Sequence, residues 1–304
     1  MTSFISFSEG EANISWLGLC DAFETGHRFP RAQIEDTFLH RGEDTLLTRS
    51  AWVDGLGVAV KSTTVYPGNP AKGRPMIDGT FSLYADDDGH LEAVIDFFLV
   101  TKWKTAGDSL YAATRLARPE SEQILIVGAG VVAHSLFEAY SAAFPKAHIA
   151  VWNRNPARAK EMAQTCPGLA VADDLETAVR AADIVTSATP STTPLIKGAW
   201  LRPGQHVDLI GAFTPSMREA DDLVLQRGDI FADTYDTILG HIGEIQIPLD
   251  SGAISRDDLG PTFYQPDTFR RKNKDQITVF KNGGGAHLDL MTGRYILDQW
   301  RAAQ

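Results

Sequence analysis

The chain has 304 residues, with 28 Lys and Arg against 39 Asp and Glu, 8 His and 2 Cys. That length exceeds one small core and suits two domains of roughly 100–200 residues each, and a hydrophobic content of 43% with 22% charged residues excludes intrinsic disorder. The net charge of -11 argues against a nucleic-acid-binding body, no run approaches the ~18 consecutive apolar residues of a membrane span, and Cys20 and Cys166 cannot make a disulfide framework.

The opening segment MTSFISFSEGEANISW carries two Glu and no early positive charge, so it reads as neither a secretory signal nor a transit peptide. A cytoplasmic protein, with its thiols reduced, is the expectation. Further on, residues 57–65 read as a strand. Residues 80–85 and 90–95 alternate about Asp86-Asp87-Asp88-Gly89, a hairpin signature with Asp-Gly in the turn. This portion is expected to be an α+β domain with an antiparallel or mixed sheet.

Pro119 and the polar residues 120–123 mark the entry to a second domain. Residues 124–127 are wholly apolar, as in a strand buried on both faces. Gly128-Ala129-Gly130 forms a turn, and Leu136, Phe137, Tyr140, Ala143 and Phe144 then recur at helical spacing until Pro145. A strand at 148–152 completes a strand–turn–helix–strand unit. Helices at 156–164 and 175–182 follow, with strands at 183–188, 206–210, 229–233 and 276–281. This alternation predicts an α/β fold, a Rossmann-type doubly wound parallel sheet. Its limits are placed at 119–285, which leaves 1–118 with 286–304 as a substrate-binding and dimerisation domain. In the tail, Leu290, Ile296, Leu297 and Trp300 lie near helical spacing, and that apolar face has to be buried somewhere, with the first domain as the candidate.

Gly128-Ala129-Gly130-Val131-Val132-Ala133 fits G-x-G-x-x-[GA]. The first glycine permits the tight turn, the second lets backbone approach a pyrophosphate, and the small third residue lets helix pack on strand. The helix N-terminus then offers free N–H groups and a positive dipole end to phosphates. The bland alternative is a tight turn that binds nothing. At the end of the second strand, where NAD sites place an acid, the chain has Trp152-Asn153-Arg154-Asn155. An acid would repel a 2′-phosphate, whereas Asn153 can donate to one and Arg154 can pair with it, so NADP(H) is favoured. NAD(H), with Arg154 a solvated loop residue, remains the alternative. Ala188 and Thr189, closing the next strand, join this cofactor set.

Three cationic positions precede the nucleotide domain: Arg49, Lys61 in VAVKSTTVYPGNPAKGRP, and Lys104 in TKWKTAGDS. With Tyr66-Pro67-Gly68-Asn69, the Thr105 to Ser109 segment, the glycine turn, the Trp152-Asn153-Arg154 corner, Ala182-Asp183-Ile184-Val185 and Gly211-Ala212-Phe213-Thr214-Pro215 with Arg218-Glu219, the chain resembles the ornithine cyclodeaminase/mu-crystallin family over nearly its whole length. The resemblance implies a homodimer assembled through the N-terminal domain, a C-terminal helix that rejoins it, and an active site in the cleft between domains. It further implies that Arg49, Lys61 and the cation at 104 hold a substrate carboxylate, and that Thr105 and the glycine-rich loop contact cofactor phosphates.

Two departures from the family pattern are informative. Lys104 stands where Arg is usual, which keeps the charge but loses the bidentate fork. Phe213 stands where members that cyclise ornithine carry an Asp next to the nicotinamide, and a phenyl ring can neither bind an amine nor move a proton. The resulting expectation is NADPH-dependent hydride transfer to a small ketimine carboxylate of the Δ1-pyrroline-2-carboxylate or Δ1-piperideine-2-carboxylate type. Lys61 is the proton-relaying candidate, its pKa depressed by Arg49 and Lys104, with a purely carboxylate-binding role weighed equally. Phe213, Trp103 and Phe97 read equally well as core aromatics, and Asp108 as an ion-pair partner of Lys104 one helical turn away. The other functions in contention are an alanine-type amino-acid dehydrogenase, ornithine cyclodeaminase itself, and a non-catalytic protein that binds NADPH and a ligand. No metal-ligand spacing, nucleophile elbow or phosphate loop occurs, so no metal, nucleic-acid or membrane partner is expected.

Overall fold

A computed structural model describes residues 2–304. The chain divides into two units, Met1–Thr105 with Gly285–Gln304, and Ala106–Gly284. In chain order the first unit contributes β1 (Ser3–Ile5), α1 (Phe7–Glu11), α2 (Trp16–Gly26), β2 (Gln33–Arg41), β3 (Asp44–Val53), β4 (Gly57–Val65), β5 (Ile77–Tyr84) and β6 (Leu91–Ile95). Helix α3 (Phe97–Leu116) contains the boundary. The second unit holds β7 (Gln123–Val127), α4 (Val131–Ala143), β8 (His148–Trp152), α5 (Pro156–Thr165), β9 (Ala170–Val171), α6 (Leu175–Ala181), β10 (Ile184–Ser187), β11 (His206–Leu209), α7 (Asp222–Arg227), β12 (Asp229–Ala232), α8 (Gly243–Asp250), β13 (Leu259–Thr262) and β14 (Thr278–Lys281). The tail, α9 (Ala286–Ala302), belongs to the first unit.

The first unit is built on a six-stranded sheet in the order β1-β6-β5-β4-β3-β2. Neighbours from β2 to β6 are antiparallel, whereas β1 runs parallel to β6, so the sheet is mixed. The expected hairpin is β5–β6. In β4 burial alternates from Gly57 to Ser62, the period-2 pattern of a strand with one covered face. Helix α9 supplies that cover: it packs on β3, β4 and α2 and buries Leu288, Leu290, Met291, Ile296 and Leu297. Strand β2 has no such pattern, being exposed at every residue but Ile34. A strand with no covered face gives no hydrophobic period to read, and β2 went unanticipated for that reason.

The second unit is the expected Rossmann-type sheet, eight strands in the order β13-β12-β14-β11-β10-β7-β8-β9. Every pairing in it is parallel. Short runs buried on both faces, such as apolar Ile124 to Val127 in β7 and all four residues of β10, are what crossover helices on the two sides require. The strand order reverses between β7 and β10, and the crevice beyond their carboxyl ends is where this class of sheet binds ligands. The boundary differs from the one expected at Pro119. It falls inside α3, because Ser109 and Tyr111 bond or pack with Asp208 and Phe263 of the second unit before proline ends the helix. Among the described residues, no helix is long and apolar enough to cross a membrane.

Candidate active site

The second unit presents a dinucleotide cradle. Gly128 has φ +112, and a Cβ there would lie 2.6 Å from the Ala188 carbonyl oxygen, so glycine is required both by conformation and by the close approach of the next strand's loop. The turn is tied on both sides, Gly128 N–H donating to the Trp152 carbonyl at 2.8 Å and Ala188 N–H to the Val127 carbonyl at 2.8 Å. Gly130 is the N-cap of α4, and a Cβ added to it would meet nothing within 4 Å. The side chains of Asn155, Asp174 and Asp221 cap α5, α6 and α7, but no side chain among the described residues caps α4. Val131 is 85% exposed at its first turn. Uncapped N–H groups at an open helix start, with bare backbone in front of them, fit the pyrophosphate of a dinucleotide.

Of the remaining cofactor candidates, all but Thr105 belong to the second unit. Ala129 and Val132 are half-buried beside Gly128 and Val131. Asn153 donates through Nδ2 to the Asn155 carbonyl at 2.9 Å and so shapes the corner after β8, while Arg154 is exposed there. Thr189 is half-buried after β10, and Phe213, after β11, is 68% exposed rather than a core aromatic. Thr105 sits half-buried on α3.

The first unit presents a charge cluster that runs from exposed Asp36 through half-buried Arg49 to buried Lys61, Lys104 and Asp289. Arg49 on β3 faces Lys61 on β4 across the antiparallel ladder. Like charges opposed in this way repel unless something offsets them. Asp36, opposite Arg49 on β2, grips the guanidinium through Nε at 3.0 Å and Nη2 at 2.9 Å. Lys61 is buried, and its Nζ lies 2.9 Å from Oδ1 of Asp289 on α9 and 5.2 Å from the centroid of the Phe97 ring. Burial, joined by Lys104 and Arg49, holds the Lys61 amine below its ordinary value, while Asp289 acts in the opposite direction. Burial would raise the Asp289 carboxyl, but Lys61, Lys104 and Arg49 outweigh it and keep this acid below the usual carboxylate range. Its other oxygen, Oδ2, is buried with no hydrogen-bond partner among the described residues. Lys104 is likewise buried on α3.

The three cations singled out in the sequence therefore do act on one another, and the depression of Lys61 has the expected direction. Its main cause is different: desolvation leads, not the neighbouring cations. Two acids were missed. Asp289 hides in an amphipathic helix whose period explains it as one more helical residue, and Asp36 lies on the patternless β2. His287, one position from an α9 apolar residue, is buried and held well below its ordinary pKa by desolvation and then by His27. The two rings meet edge to face at 5.2 Å. His27 is pushed down to about 4 by burial, so both imidazoles are neutral walls of this region at physiological pH. Trp103 is a core aromatic stacked 3.9 Å from Trp16, as one of its two readings had it.

Taken by themselves, the parallel strand order, the bare glycine turn and the uncapped α4 define a dinucleotide-binding unit of the kind found in oxidoreductases, here carried by a chain whose other unit buries two lysines and an acid beside a half-buried arginine. Residues 48–304 match the model of the Ornithine cyclodeaminase/mu-crystallin family, and the chain belongs to that family. It is 48% identical to the Δ1-pyrroline-2-carboxylate reductase of Paracoccus denitrificans, a match covering 96% of this chain and 95% of that protein. Among solved structures, an archaeal alanine dehydrogenase dimer with bound NAD is 26% identical at a TM-score of 0.90, covering 99% of this chain and 97% of that one. The Thermococcus litoralis Δ1-pyrroline-2-carboxylate reductase, solved with NADH and L-proline, has the same fold at a TM-score of 0.90 and 24% identity, covering 99% of this chain and 98% of that one.

Proposed function

We propose that the protein is a nicotinamide-dependent reductase that converts a small cyclic imino acid, of the Δ1-pyrroline-2-carboxylate or Δ1-piperideine-2-carboxylate type, to the amino acid. The observation that carries this reading is the set of buried Lys61, Lys104 and Asp289 with half-buried Arg49 beside them. An α-carboxylate needs concentrated positive charge in a site of low dielectric, and an imine nitrogen needs a proton donor that remains charged there. The 48% identity to a Δ1-pyrroline-2-carboxylate reductase supports it across the whole chain. Exposed Phe213, in the position that carries Asp in members cyclising ornithine, removes the acid which deamination of a free amine requires.

A bound reduced nicotinamide supplies the hydride. The residues that would hold the coenzyme are Gly128 to Val132 at the pyrophosphate, Asn153 and Arg154 at the adenosine ribose, and Ala188, Thr189 and Phe213 on the other side of β7, with Thr105 as a further phosphate contact. Arg49 and Lys104 fix the carboxylate. Lys61 holds a proton at Nζ, kept there against desolvation by Asp289 at 2.9 Å, and passes it to the substrate nitrogen. Asp36 orients Arg49 through its bidentate contact, so the guanidinium is set before substrate arrives.

The deciding experiment measures oxidation of NADPH and of NADH across cyclic ketimine acids and 2-oxo acids, with and without ammonia. Turnover of the ketimine without ammonia is the expected result. Turnover only of pyruvate with ammonia would favour an alanine dehydrogenase, the reading that likeness to the archaeal enzyme keeps in play. Arg154 in place of an acid supports NADPH as the preferred reductant. Arg154→Ala should lower that preference about tenfold, the effect of losing one charged phosphate contact, and an unchanged NADPH-to-NADH ratio would show that Arg154 does not read the 2′-phosphate.

The same proposal includes a homodimer made through the first unit. Strand β2 ends the sheet with its backbone edge unpaired, and Phe38 and Leu39, which point to opposite faces, are 54% and 68% exposed. A second copy is the occupant that would cover both. Sedimentation equilibrium should give twice the 33.2 kDa chain mass, and Leu39→Glu should give the monomer. A parent protein that sediments as one chain sinks this part of the proposal.

A further inference from the structure

Glu219 lies wholly buried in the second unit, between the loops that follow β10 and β11. Its Oε1 accepts from Ser187 Oγ at 2.6 Å, Thr189 N–H at 2.7 Å and Thr189 Oγ1 at 2.8 Å, and its Oε2 accepts from Gly211 N–H at 2.6 Å. The two loops touch closely as well, since a Cβ on Gly211 would lie 2.1 Å from the Thr189 carbonyl oxygen. The acid is anchored from behind. Its backbone N–H donates to Glu244 Oε2 at 2.6 Å, and its carbonyl accepts from the N–H groups of Leu195 at 2.7 Å and Ile196 at 3.0 Å.

The strand order says what these loops face. Two mononucleotide-binding halves meet at β7, and the glycine turn after β7 serves the pyrophosphate. Strand β8 carries the Asn153–Arg154 corner on one side, which is the adenosine half. Strands β10 and β11 lie on the other side and therefore serve the nicotinamide half. We infer that Glu219 is a positioning residue that locks the Ala188–Thr189 and Gly211 loops into the shape that receives the nicotinamide half of the coenzyme. This inference rests on the dinucleotide-binding reading above.

Only a carboxylate of this length does the task. The N–H groups of Thr189 and Gly211 are donors with no capacity to accept, and each faces a different oxygen of Glu219. Glutamine has the same size but one accepting end. In Glu219→Gln the amide NH2 must point at one of the two backbone N–H groups, and that loop moves away.

The test compares binding of intact NADPH and NADH with binding of ADP and adenosine 2′,5′-bisphosphate, which carry the adenine half alone, by calorimetry on the full chain. Glu219→Gln should weaken the intact dinucleotide about tenfold and leave the adenine-half probes within about twofold of the parent. Ser187→Ala, which removes one hydroxyl donor to Glu219 at a residue outside the coenzyme set, should give a smaller step with the same split, and it carries the test if Glu219→Gln does not fold. Equal losses for whole and half ligands, or no loss for either, overturn the inference. A parent chain that binds no dinucleotide at all overturns the functional reading instead, so the two failures are distinguishable.

Discussion

Lys61→Met should reduce the cyclic imino acid about 10²–10⁴-fold more slowly than the parent, the range for losing a positioned general acid. Methionine keeps most of the volume beside Phe97 but leaves the buried Asp289 without its counter-ion, so the melting temperature should fall as well and the rate is compared on folded protein. The division between kinetic parameters is the discriminating readout. A lost proton donor lowers kcat and kcat/KM together, whereas a lost carboxylate contact raises KM and spares kcat. Near-normal kcat in this variant rules out the proton-donor role.

Asp289→Asn tests the same assignment through pH. Lys61 donates only when protonated, so activity falls as pH rises through its pKa. The Asp289 carboxylate raises that pKa, while burial, Lys104 and Arg49 all lower it. With the carboxylate gone only the lowering influences remain, and the alkaline limb of the kcat profile should move to lower pH. A limb that stays in place, or moves upward, contradicts the pairing as the source of the lysine's charge.

The second large effect concerns the glycine turn, where two neighbouring substitutions should separate folding from binding. Gly130→Ala adds a Cβ into open space at φ -95, a conformation alanine adopts freely, so the melting temperature should stay near the parent's. That methyl group occupies the approach of a pyrophosphate to the first turn of α4, and dinucleotide affinity should fall at least about tenfold, or ~1.4 kcal/mol. Gly128→Ala should lose both properties. Its φ of +112 is strained for any side chain, and the new Cβ would sit 2.6 Å from the carbonyl oxygen of Ala188, a residue tied through its N–H to the Val127 carbonyl at 2.8 Å. Differential scanning fluorimetry with and without NADPH distinguishes the pair. If Gly130→Ala melts with the parent's ligand-induced shift, the turn does not hold a pyrophosphate.

How far these features could be read without coordinates depended on whether burial leaves a period in the sequence. Strands β7, β8, β10 and β11 are short, covered runs separated by amphipathic helices, and their rhythm identified a parallel sheet directly. Strand β2 is covered on neither face and left no trace. Helix α3 was visible only as the Lys104–Asp108 spacing, and its run across the unit boundary was hidden by the stronger punctuation at Pro119. At the site, the glycine turn was legible from backbone need alone. Arg49, Lys61 and Lys104 stood out through resemblance to a family, since isolated cations in strands and helices otherwise read as surface. The acids that complete the cluster, Asp36 and Asp289, were out of reach because pairing across 13 and 228 positions is set by strand register and helix docking, which no local pattern encodes. Glu219 was quoted only as part of a matching dipeptide, and three of its four donors come from Ser187 and Thr189, about 30 positions earlier, brought to it by the parallel strand order.

The return of α9 to the first unit makes the order of synthesis matter. The whole Rossmann-type unit lies between Lys61 and the acid that sets its charge, so a ribosome-bound chain has every residue of the nucleotide fold available before Asp289 is translated. Until the last helix emerges, Lys61 is a buried-face lysine without its counter-ion and β3 and β4 lack their apolar cover. Premature termination between Gly284 and Asp289 would thus release a polypeptide whose nucleotide unit is complete in sequence but which lacks the acid paired with Lys61.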